Sequence, residues 1–165
     1  MKVLLTHGYF LKDDPVEMRI MKPYPPLGIL YLSAWLNKEG ISNEILDTTF
    51  LAIENILQRV MNACPDVVGI YSTLRTRHNV LKMVDLIRGA PGLEEVKIIV
   101  GGPDARHNAG DYLNYGIDVI VTGEGEKALT DTIKILSNGD PGKFSNVKGI
   151  GWKNSSGECR MNEAA

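Results

Sequence analysis

The chain has 165 residues, a formal net charge of −2, 44% hydrophobic and 23% charged residues, and two cysteines. That is the size and balance of one soluble domain able to bury a core without disulfides. Scattered Lys and Arg argue against nucleic acid as a partner, two distant cysteines against a disulfide scaffold, and the lack of a long apolar run against a membrane segment.

Val3-Leu4-Leu5 predicts a first buried strand, and its start so near Met1 leaves no room for a secretory leader. The reading is a cytoplasmic protein with reduced thiols. A long connection follows, from His7 to about Tyr24, and loops of that length beside a sheet are often functional. Pro25-Pro26 opens a helix that Gly40 ends, with Leu27, Leu30, Tyr31, Ala34 and Trp35 on its inward face. Glu44-Ile45-Leu46 predicts a second strand. Ile53, Ile56, Leu57, Val60 and Met61 predict a second helix, stopped before Pro65. Val67 to Tyr71 is apolar throughout, as in a strand covered on both faces. Val80, Met83, Val84 and Ile87 mark the next helix, and Val96 to Val100 a fourth strand. A short helix over about Asn108 to Tyr115 precedes a fifth strand, Val119-Ile120-Val121, and a last helix from Glu126 to Leu136. Beyond Gly139 the period changes. Val147 to Lys153 and Glu158 to Met161 predict an antiparallel hairpin around Asn154-Ser155-Ser156-Gly157.

Five strands alternating with helices predict an α/β fold: a doubly wound, Rossmann-like or flavodoxin-like five-stranded parallel sheet with helices on both faces, plus a C-terminal β-hairpin. Residues 1–140 form the α/β domain, and 141–165 the hairpin and the start of a linker. Such sheets bind ligands beyond the carboxyl ends of their strands. The loops to read are therefore Thr6-His7-Gly8, Asp47-Thr48-Thr49, Ser72-Thr73-Leu74, Gly101-Gly102-Pro103 and Thr122-Gly123-Glu124-Gly125.

These loops exclude several tenants of the architecture. A receiver domain needs paired acids after the first strand and a phosphoacceptor Asp after the third, where this chain has Thr6-His7-Gly8 and Ser72. A flavodoxin needs a tight hydroxyl-rich phosphate loop. A dinucleotide fold needs GxGxxG after the first strand, and the nearest match, Gly123-Glu124-Gly125-Glu126, carries two glutamates that repel a pyrophosphate. What remains is a glycine-lined, nearly uncharged crevice for a large, mostly neutral ligand with an extended arm. Three alternatives stay open on the residues: a cofactor carrier, a binder of a nucleotide-sugar or similar metabolite, and a non-catalytic regulatory module.

Ser72-Thr73-Leu74 and Gly101-Gly102 resemble the SxL…GG signature of cobalamin (vitamin B12)-binding domains, with 26 residues between them. The DxHxxG sequence, whose His ligates cobalt in cobalamin methyltransferases and mutases, is missing: Val16 stands two residues after Asp14. In this respect, in Pro25-Pro26-Leu27-Gly28-Ile29-Leu30, and in Val100-Gly101-Gly102-Pro103 with Thr122-Gly123-Glu124-Gly125-Glu126, the chain is similar to the cobalamin domains of radical-SAM enzymes, including the Mg-protoporphyrin monomethyl ester cyclase type of Fe–S oxidoreductase. The resemblance implies cobalamin held base-off, weakly ligated from below, with its nucleotide tail in the crevice. It implies cofactor-binding roles for Ser72, Thr73, Leu74, Gly101, Gly102, Pro103, Thr122, Gly123, Glu124 and Gly125, with Ser72 hydrogen-bonding the dimethylbenzimidazole and Leu74 lining the slot. Met18, Ile20, Tyr24 and Leu27 would form an apolar floor under the corrin. No catalytic residue and no metal ligand is expected in this chain. A radical-SAM barrel with its [4Fe–4S] cluster and S-adenosylmethionine would lie elsewhere in the same polypeptide, because two isolated cysteines cannot make CxxxCxxC. His7 reads as a strand-end histidine with a backbone partner. His78 and His107 read as helix-starting, solvent-facing residues, and Cys64 and Trp35 as core.

Overall fold

Strand β1 runs from Val3 to His7, two residues past the apolar triplet, because the ladder to its neighbours continues to the strand end. The structure, a computed structural model, describes residues 1–163. The remaining parallel strands are β2 (Asn43–Leu46), β3 (Val67–Tyr71), β4 (Lys97–Gly101) and β5 (Val119–Val121), in the order β2-β1-β3-β4-β5. The chain reverses its direction of winding between β1 and β3, which places a ligand-sized gap over their carboxyl ends. The predicted five-stranded sheet is extended by β6 (Ile150–Lys153) and β7 (Cys159–Met161). This hairpin does not stand apart as a linker: β6 pairs antiparallel with β5, making one mixed sheet of seven strands.

The described residues form seven α-helices: α1 (Pro15–Ile20), α2 (Leu27–Lys38), α3 (Ile56–Ala63), α4 (Arg77–Arg88), α5 (Pro103–His107), α6 (Ala109–Asn114) and α7 (Gly125–Ser137). Leu4, Val68, Ile70, Ile98, Val100 and Ile120 meet α3, α4 and α6 on one face. Val3, Leu5, Val67, Ile99, Val119 and Val121 meet α2 and α7 on the other. This period-two split is what a sheet covered on both sides requires.

Several local expectations change. The long first connection holds a turn of 3-10 helix at Leu11–Asp13 and then α1, whose start is capped by the Asp14 carboxylate accepting from Val16 and Glu17 N–H. The helix expected near Asn108–Tyr115 is α6, and an unexpected short helix, α5, precedes it, so His107 ends a helix where it was expected to begin one. Helix α2 buries Ile29 and Leu36, with Leu32 packed beside them, and leaves Leu27, Leu30 and Tyr31 exposed. The helix is apolar nearly all round, so its periodicity could not select the inward face. Trp35 is half-buried, under Lys38 at 5.3 Å from the ring. Cys64 is exposed, since it takes the left-handed C-cap of α3 with φ 46°. His78 is exposed, as expected.

Candidate functional site

Between the sheet and the facing ends of α2 and α7 lies a slot of about 510 Å³. Its floor is Leu5, Gly69, Tyr71, Ile99, Gly101 and Val121, and its walls are Gly28, Ile29 and Leu32 on one side and Gly123 to Glu126 with Leu129 on the other. No lysine or arginine lines it, and the two carboxylates, Glu124 and Glu126, stand at the start of α7. Anionic side chains there occupy the positive end of the helix. Two glycines keep the slot open. Gly102 has φ 107°, and a Cβ on it would overlap the Ser72 carbonyl oxygen. A Cβ on Gly125 would reach Leu32 Cδ2 at 3.0 Å across the slot.

A second cavity of about 520 Å³ adjoins the slot and shares Gly28, Ile29 and Tyr71 with it. It spreads over the switch point, where His7, Tyr9, Thr49, Thr73 and Arg75 face Pro23 to Leu27. His7 is buried; its Nδ1 accepts from the Tyr9 N–H at 3.2 Å and its Nε2 donates to Asp47 at 3.0 Å. Burial holds its pKa below the ordinary histidine value, against the pull of Asp47. The ring is therefore neutral at pH 7 and both nitrogens are engaged, so neither has a lone pair free for a metal. Tyr24 and Leu27 border this cavity, while Met18 and Ile20 project from α1 without lining it.

The sequence motifs fall on both sides of the sheet. Gly101, Gly102, Gly123, Glu124 and Gly125 line the slot, and Thr73 lines the adjoining cavity. Pro103 starts α5 and Thr122 follows β5, both just outside the slot. Leu74, expected to line the slot, is 76% exposed and lines neither cavity. Ser72 is fully buried, and strand alternation turns its side chain to the reverse face, where its hydroxyl lies 2.7 Å from Tyr112 Oη. Tyr112 in turn donates to Asp104 at 2.6 Å, and Asp104 accepts from Arg77 Nε at 2.6 Å, from Arg77 Nη2 and from Asn108. Arg77 holds the Asp104 carboxyl below the usual carboxylate range, and burial together with Asp104 pushes the Tyr112 phenol up to about 12. Sequence reasoning missed Arg77, Asp104 and Tyr112. The one available signal was a carboxylate directly after the glycine pair and Pro103.

The model of the B12 binding domain matches residues 19–133, most of the chain and all five loops except the first. The chain belongs to the B12-binding domain family. Its cofactor is thus cobalamin, and the observed slot is consistent with it: lined mostly by backbone and apolar atoms, and within the range of small-ligand sites. Over 135 residues this B12-binding domain is 27% identical to an uncharacterized methyltransferase of Pyrococcus horikoshii, covering 78% of the chain and 28% of the relative. It is 28% identical over 160 residues to the cytidylyl-2-hydroxyethylphosphonate methyltransferase of Streptomyces wedmorensis, covering 82% and 29%. The chain thus spans less than a third of these relatives' length. Its fold matches the cobalamin-dependent S-adenosylmethionine radical enzyme OxsB with aqua-cobalamin bound, with a TM-score of 0.84 at 24% identity over 99% of this chain and 22% of that one. A cobalamin-binding protein from Desulfitobacterium hafniense matches with a TM-score of 0.59 at 17% identity, over 83% and 58%. Among the described residues no helix is long and apolar enough to cross a membrane.

Proposed function

We propose that this domain carries cobalamin for a radical-SAM barrel of the same polypeptide, with the nucleotide tail in the glycine-walled slot and the corrin over the adjoining cavity. The observation that carries this reading is the pair of adjoining cavities over the strand ends, of about 510 and 520 Å³, which share Gly28, Ile29 and Tyr71. When bound, the cofactor supplies cobalt-centred methyl-transfer or radical chemistry, and the protein supplies binding and orientation. Gly101, Gly102, Gly123 and Gly125 present main chain to the tail, with Tyr71 and Ile99 beneath it. Thr73, Leu74, Pro103, Thr122 and Glu124 edge the entrance. Tyr24 and Leu27 offer apolar surface below the corrin. His7, neutral and doubly hydrogen-bonded, shapes the cavity without reaching a metal. Both relatives being methyltransferases favours methyl transfer as the reaction of the whole protein. Cys64 and Cys159 are unpaired, in keeping with a reducing cytoplasm.

The test is retention of cofactor. Purified protein mixed with hydroxocobalamin and then desalted is expected to keep corrinoid absorbance. Gly125→Leu, which fills the slot from a helix start without a positive φ, is expected to lose it. A wild-type chain that retains no corrinoid, or a Gly125→Leu variant that binds as tightly as wild type, overturns the reading.

A further inference from the structure

The row of hydrogen bonds behind the slot has a fixed direction. Ionised Asp104 can only accept, so Tyr112 donates to it, and the Tyr112 oxygen is left to accept the single proton of Ser72. Arg77 closes the row from the other end with two donors of its guanidinium. Together with Asn108 these bonds fill the acceptor sites of the Asp104 carboxylate. The row also joins the two segments that form the slot mouth. Ser72 and Arg77 bracket the loop after β3, while Asp104 follows Gly101-Gly102-Pro103 after β4. The same two segments are stitched by the Ser72 N–H donating to the Gly101 carbonyl at 2.8 Å. An ion pair with a buried carboxylate is a poor device for stability alone, because apolar residues of the same volume commonly do as well. Its value is in fixing one geometry, and the geometry fixed here is the spacing of Ser72 and Gly102.

We propose that Arg77, Asp104 and Tyr112 are positioning residues for the cofactor tail, holding Ser72 and the Gly101–Gly102 turn from the reverse side of the sheet and so setting the mouth of the slot. On this view Ser72 is the inner end of a relay and acts through the main chain. The inference rests on the reading of the slot as the seat of the nucleotide tail.

The experiment compares dissociation constants for cobalamin and for cobinamide, which has the corrin but no nucleotide tail. Wild type, Ser72→Ala, Tyr112→Phe, the double variant and Arg77→Lys are measured, with circular dichroism as the check of folding. Wild type should prefer cobalamin; equal affinities would defeat the tail reading itself. Tyr112→Phe and Ser72→Ala should each lower the preference roughly tenfold, the size of one buried hydrogen bond expressed as an equilibrium, with cobinamide affinity held within about twofold. The double variant should lose no more than either single one, since they break one row. Arg77→Lys keeps the charge but not the fork, sits at a partly exposed site, and should lose part of the preference even if Tyr112→Phe fails to fold. Wild-type preference retained in Tyr112→Phe, or in Arg77→Lys should Tyr112→Phe not fold, overturns the relay. So does an equal weakening of both ligands, which marks general damage, and so does a loss in Ser72→Ala alone, which marks direct contact of the serine with the tail.

Discussion

Gly102 combines a φ of 107° with a carbonyl oxygen where a Cβ would stand. Gly102→Ala is therefore expected to cost about 1–3 kcal/mol of stability and to weaken corrinoid binding, read by thermal unfolding and by spectral titration. His7 makes a pH prediction. Its folded pKa lies below 6.5, so the unfolded chain takes up the proton first as pH falls. Stability is whole above pH 6.5 and declines below it, down to the folded pKa. Urea unfolding between pH 7.5 and 5.5 should show this decline, and His7→Gln should flatten it; an unchanged slope in the variant would refute the assignment. At this scale the strand-end positions of Ser72 and the glycine pair were legible, because apolar runs a helix apart end just before them. Arg77, Asp104 and Tyr112 were not. Arg and Asp mostly face solvent and Tyr is only intermediate in burial, and only the packing of α4, α5 and α6 against the strand ends brings the three together.

Among the elements, the C-terminal hairpin departs most from its reading as the start of a linker. Ile150 is fully buried against the α2–α7 face, with Phe144 and Val147 in the same cluster. Ile150→Ala should therefore destabilise the domain by about 2–5 kcal/mol in denaturant unfolding, a loss that a loosely attached hairpin would not show. Strands β3 and β5 were legible to the residue, because continuous apolar runs between polar breaks leave little choice. Helix α1 was not, because its six residues bury nothing and its start is signalled only by Asp14-Pro15. The inward face of α2 was misread for the opposite reason, an excess of apolar residues. The sheet chose Ile29 and Leu36, and Leu27 and Tyr31 remain free to border the two cavities.

For the whole molecule, the alternation of strands and helices made the doubly wound topology and the location of the crevice legible, since right-handed crossovers admit few arrangements. Ligand and fold are then thermodynamically linked. Free hydroxocobalamin at one hundred times its dissociation constant should raise unfolding stability by about 2.7 kcal/mol, measured as a shift of the denaturant midpoint, and cobinamide should give a smaller shift at the same concentration. The antiparallel pair at the sheet edge has a topological consequence. Helix α7 carries the chain away from the slot, residues 138–149 bring it back, and two further strands, being an even number, restore the same heading. Glu163 accepts from the Gly149 N–H, and Gly149 accepts from Thr122. The backbone at 163 thus lies only two strand spacings, roughly 10 Å, from the loop after β5. A dye or tether attached at that position would report on, or deliver cargo to, the ligand doorway, whereas one attached ahead of Val3 would sit a full strand length away, at the opposite pole.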